Sequence, residues 1–257
     1  MCSRVRVRNV SDRGPTEPST DTGVLPLHIP VSDFSAAAAA EADSRPTWRG
    51  WIHTGVLPIV IAAGIVLIVL ANGVGAKVST SIFFGCSVLL FGNSALYHRF
   101  NWKPKTKKVL KRIDHANIFL LIAGTYTPIT LLALPQSQAL ILMILIWGSA
   151  LLGIGFRVFW INAPRWLYVP LYIAMGWAAL AFVADFMRAN QAMMILVLAG
   201  GLCYTIGAVV YALKKPNPWP GRFGFHEIFH ALTVVAFLAH WAGVLLIALS
   251  PAVGSFG

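Results

Sequence analysis

Seven stretches of this chain are each apolar for about 20 residues, and that pattern decides most of what it can fold into. They run roughly over 52–72, 77–98, 114–134, 138–157, 166–185, 191–213 and 226–249. A helix rises about 1.5 Å per residue, so about 20 residues cross roughly 30 Å of hydrocarbon. Lipid offers no partner to a backbone N–H or C=O, which leaves helices as the structure for runs of this length. Pro58, Pro128 and Pro170 fall inside the runs, as membrane helices tolerate. Composition agrees: the chain is 57% hydrophobic and 11% charged, where a soluble domain carries about 25% charged residues. The fold class is therefore all-α, a polytopic membrane protein built as a seven-transmembrane-helix bundle.

The segment ahead of the first run differs. Residues 1–46 are rich in Ser, Thr, Pro, Asp and Arg and hold six of the nine acids. They contain no apolar stretch of the signal-peptide kind and read as a disordered cytoplasmic tail. Residues 47–257 form the seven-helix transmembrane domain, a multi-pass protein of the cell membrane.

Net charge of +11 raises the question of nucleic acid. The basic residues gather in the connections between apolar runs instead of patching one soluble face, so they record orientation and exclude a nucleic-acid partner. With seven spans, the tail and the second-to-third, fourth-to-fifth and sixth-to-seventh connections share one side. Together they carry 18 Lys and Arg, against Lys77 and Arg188 on the other. The N-terminus is expected in the cytoplasm and the C-terminus outside.

That topology gathers the polar groups. Span two ends in SALYH, so Ser94 and His98 lie near its cytoplasmic end. Span three opens with RIDHAN, which places Asp114 and His115 at its entrance, and span seven opens with His226 and His230. Ser94 and His98 are four residues apart, as are His226 and His230, so each pair shares a helix face. Three imidazoles and an acid at one depth could supply three zinc ligands and a group that handles a water. Taken singly, each residue reads rather as a helix-end group in the headgroup region, with Asp114 paired to Arg112 or Lys111; the shared depth and the two i,i+4 pairs favour the metal reading for the set.

The letters HEIFH at 226–230 match the H-E-x-x-H pattern of zinc proteases. That chemistry needs a third ligand downstream. After His230 there is no acid, and His240 lies about 15 Å deeper along the helix. The third ligand has to come from upstream, and His98 is the candidate. Glu227 then reads as a helix N-terminal acid favoured by the dipole.

S-x-x-x-H at 94–98, the aspartate of RIDHANIFLLIAGTYTP at 114, and H-x-x-x-H at 226–230 together resemble the hemolysin III family. That family lies within the progestin and adipoQ receptor group and is similar to alkaline ceramidases in these motifs. The likeness covers roughly residues 46–250. It implies that His98, His226 and His230 bind zinc, with Asp114 and Ser94 beside the water at the metal. Glu227 is outside the family's pattern, and where the receptor members carry a long acidic cytoplasmic domain, a short tail is expected ahead of span one.

The expected function is a zinc-dependent, ceramidase-like membrane hydrolase acting on a lipid or lipid-like amide or ester. Asp114 would take the water's proton, and Ser94 would orient it or the developing oxyanion. A membrane receptor or sensor with structural zinc, or a pore-forming cytolytic protein, stays open beside it. Asn93 and Asn117 are expected to hydrogen-bond within the bundle, His240 to bond another helix, and His53 and His28 to be peripheral. Cys86 and Cys203 read as packing residues. Trp48, Trp51, Trp102, Trp160, Trp166 and Trp219 read as an interfacial belt.

Overall fold

Each apolar run forms a helix because the backbone hydrogen-bonds within itself, leaving the side chains free to face either lipid or neighbouring helices. A computed structural model describes residue 48 and residues 50–160 and 162–252. The disordered-tail expectation for 1–46 falls outside those residues, as do His28 and Cys2. The order is α1 (Trp51–Leu70), α2 (Val74–Arg99), α3 (Pro104–Ala133), α4 (Gln136–Phe159), α5 (Arg165–Gly176), a 3₁₀ turn (Ala178–Phe182), α6 (Val183–Ala189), α7 (Gln191–Leu213) and α8 (Phe225–Leu249). Arg165–Ala189 acts as one span, so the described residues contain seven helices long and apolar enough to cross a membrane.

Span three is the hub. Its apolar window is 78% buried, against 22% for α1 and 28% for α4, so α3 carries the core while the other two face lipid. It packs along α2, where the Asn117 side-chain amide donates to the Leu89 carbonyl at 2.8 Å and that of Asn93 donates to Leu110 at 3.4 Å. Helix α3 also begins earlier than its apolar run. Pro104 supplies the first turn, where its missing N–H costs nothing, and the helix is 30 residues long. The basic stretch before residue 114 is thus helix, not loop.

Span five is interrupted where the sequence gives no warning. Between Gly176 and Ala179 the ladder changes register, and Tyr126 of α3 fills the gap. Its hydroxyl donates to the Gly176 carbonyl and accepts from the Ala179 N–H, each at 2.8 Å. A polar backbone group at membrane depth needs such a partner.

Helices α7 and α8 pack closely. A Cβ on Gly200 would stand 2.4 Å from the His240 ring, so any larger side chain there would have to displace that ring. His240 donates from Nε2 to the Val197 carbonyl at 3.0 Å, the interhelical bond expected of it. Helix α1 is set against the end of α2 in a similar way. Gly50 has φ 87°, and a Cβ on it would lie 2.9 Å from the Arg99 nitrogen and the His98 carbonyl carbon. Only glycine suits both that dihedral and that approach. Trp48, Trp51, Trp160, Trp166 and Trp219 are all at least half exposed, in keeping with the belt, whereas Trp102 is half-buried and donates from Nε1 to the Leu96 carbonyl at 3.0 Å.

Candidate functional site

The end of α2, the start of α3 and the start of α8 meet at one end of the bundle. His98 sits in the last turn of α2. His226 and His230 occupy the first two turns of α8, on one face because they are four residues apart. One donor nitrogen from each of the three lies within 4.8 Å of the others. Ring centroids are 4.9 Å apart for His98 and His226, 5.1 Å for His98 and His230, and 4.6 Å for His226 and His230. His98 and His230 are buried and His226 is half-buried. Three imidazoles pressed together in an apolar setting suit a borderline divalent ion held at about 2.1 Å, with a fourth coordination position left over.

Asp114 stands next to the group. Its Oδ2 is 3.9 Å from His98 Nε2, and its side chain keeps 16% of its surface exposed. Ser94, one turn before His98 and 3% exposed, lies beside the Asp114 carboxyl. All five residues singled out by spacing therefore share one corner.

Glu227 has a separate task. Its Oε2 accepts from the Gly224 N–H at 2.9 Å, so it reaches back and caps α8 from the third helical position. It is 1% exposed and secures the turn from which His226 and His230 project.

His53 corrects an expectation. It is not peripheral: it is 2% exposed, and its ring stacks on His230 with centroids 4.0 Å apart and planes 5° from parallel. Phe91 abuts it edge-on at 5.0 Å. The close approach at Gly50 brings the first turn of α1 to the histidines. Two further neighbours escaped the sequence reading. Tyr211 packs on His226 at 5.5 Å, and Arg165 lies 4.2 Å over Tyr211. Both lie at the depth of the other groups, which was legible. The face they present was not, because helices apolar on all sides carry no phase signal.

His115 belongs to the fold more than to the cluster. Its Nδ1 is 2.7 Å from the Lys111 carbonyl, its own carbonyl accepts from Tyr172 at 3.1 Å, and its ring meets Tyr168 at 6.1 Å.

With this geometry in view, comparison with known proteins is informative. The sequence pattern of the "Haemolysin-III related" family matches residues 42–241. A hemolysin-3 homolog of Bacillus subtilis is 36% identical over 159 residues, covering 60% of this chain and 74% of that protein. Hemolysin-3 of Bacillus cereus is 34% identical over 159 residues, 60% of this chain and 72% of that protein. More distantly, the adiponectin receptor protein of Drosophila melanogaster is 25% identical over 194 residues, 65% of this chain and 42% of that protein.

Proposed function

The chain belongs to the haemolysin-III related family, within the progestin and adipoQ receptor superfamily, and from that premise we propose that this multi-pass membrane protein is a zinc-dependent hydrolase of a lipid amide or ester. The single observation that carries the reading is the meeting of His98, His226 and His230 with Asp114 at their edge. His98, His226 and His230 hold the ion, and zinc suits three neutral nitrogen donors with an open position. Bound there, zinc supplies Lewis-acid polarisation of a carbonyl and lowers the pKa of water towards neutrality.

The chain's own groups do the rest. The Asp114 carboxylate accepts the proton of the attacking water as the new C–O bond forms. It returns that proton to the leaving nitrogen or oxygen as the scissile bond breaks, so the group ends as it began. The Ser94 hydroxyl orients the water or donates to the oxygen on which negative charge develops. Burial of His98, His230 and Ser94 lowers the local dielectric, which strengthens each of these interactions. The excess of Lys and Arg at this end of the bundle supports a cytoplasmic site.

A receptor reading is favoured by one specific observation, the similarity to the Drosophila adiponectin receptor protein. Metal analysis of detergent-purified protein, with product analysis after incubation in a lipid extract, separates the two. Near-stoichiometric zinc with release of a fatty acid is expected. Zinc without turnover would favour the receptor, and protein free of bound metal would sink both.

A further inference from the structure

Beyond the histidines, one buried charge at the same end of the bundle has no use so far. Arg157, in the last turn of α4, is 1% exposed and the bulkiest of the fully buried side chains among the described residues. Its guanidinium carbon lies over the Tyr168 ring, 4.1 Å from the ring centre, so the ring packs against the planar guanidinium. The N–H groups project from the edge of that plane, and Nε and Nη1 have no hydrogen-bond partner. Neither ion pair among the described residues, His98 with Asp114 or Arg188 with Asp185, includes it.

The surroundings add positive charge. Lys111 of α3 lies within electrostatic reach of both Arg157 and Arg165, and His115 is within reach of all three. A π face and the carbonyl end of α4 soften the cost of burying one cation. They do not satisfy edge N–H groups, and an unpaired buried charge costs several kcal/mol. Ionisable groups at membrane depth usually mark a binding function, and basic pockets between transmembrane helices take anionic headgroups.

We propose that this corner of α3, α4 and α5 is an oxyanion site, in which Arg157 with Lys111 beside it takes the phosphate of a lipid headgroup from the adjoining leaflet. Guanidinium donors match phosphate oxygens in charge and geometry. The contact with Tyr168 holds the guanidinium in place, so its donors are positioned before the ligand arrives. The site stands whether or not the histidines bind metal.

The test is calorimetric titration of purified protein in an uncharged maltoside detergent with dihexanoyl phosphatidate and, separately, inorganic phosphate. Saturable binding of phosphatidate is expected, weakened about tenfold or more in Arg157→Met, the loss expected for charge-assisted hydrogen bonds. Arg157→Lys, which keeps charge but loses the fork, should fall between. Equal affinity for the two probes would keep the oxyanion site but overturn the lipid source. Absence of saturable binding to the unaltered protein, or unchanged affinity in Arg157→Met, would overturn the site itself. Should Arg157→Met not fold, the wild-type titration still decides, and Lys111→Gln should weaken binding about threefold. Zinc content measured in the same samples reports on the histidine reading separately.

Discussion

The histidine corner and the arginine corner occupy the same end of the bundle, yet they are assembled differently. At the first, three imidazoles from α2 and α8 press together, and α3 adds an acid 3.9 Å from one of them. At the second, one cation lies against one tyrosine, with N–H groups left over. The first gathers three imidazoles whose nitrogens lie close enough together that they could hold one metal ion. The second holds a cation whose Nε and Nη1 have no hydrogen-bond partner among the described residues. The difference shows how one bundle end can gather imidazole nitrogens at one corner and a buried guanidinium at another, because each is fixed by its own helix contacts.

The contrast can be attacked where the largest effects lie. His98→Ala removes one of three donors and should leave purified protein without stoichiometric zinc, as read by elemental analysis, while Arg157→Met leaves zinc content unchanged. Loss of zinc in both would merge the two corners into one site. Asp114→Asn should retain zinc but lower hydrolysis about a hundredfold or more, the usual worth of a positioned general base. Full activity in that variant would remove Asp114 from the chemistry.

A finer probe is His53, which touches no substrate in this reading and acts by holding the His230 ring. His53→Leu should weaken zinc about tenfold, the lower end for residues that orient a ligand. His53→Phe, which keeps the stacked ring, should lose less and preserve the absorption spectrum of a cobalt-substituted sample. If both variants match the wild type, the stack is packing alone. Smallest is Tyr126→Phe, which strips the hydroxyl from the break in span five. It should cost about 1–3 kcal/mol of stability in a denaturant titration, the penalty for unsatisfied buried groups, with zinc unaffected.

Much of this was legible in the amino-acid order. The seven spans follow from run length alone, and the i,i+4 spacing of Ser94 with His98 and of His226 with His230 brought the donors to shared faces. What stayed hidden depends on rotation and on distant partners. His53 looked peripheral because α1 is apolar all round, so nothing told which way residue 53 turns. The break after Gly176 carries no local mark and is stabilised by Tyr126, fifty residues earlier. Arg157 was counted as a topology signal, and only the folded contacts separate it from the exposed basic residues of the connections. Pro104 is a helix-start signal, but the residues after it are charged, so no apolar run marks the helix there.

That early start of α3 has a mechanical consequence. Thirty residues in one helix span about 45 Å, roughly half again the thickness of the hydrocarbon layer. The surplus is a stiff post on which Lys105, Lys107 and Lys108 ride ahead of Asp114. Attraction of those lysines to an anionic leaflet, or a change in bilayer thickness, would therefore act on the carboxylate as through a rod and not a tether. The depth of the acid is thus set by a rigid element, continuous with the basic turns ahead of it, and not by a flexible loop.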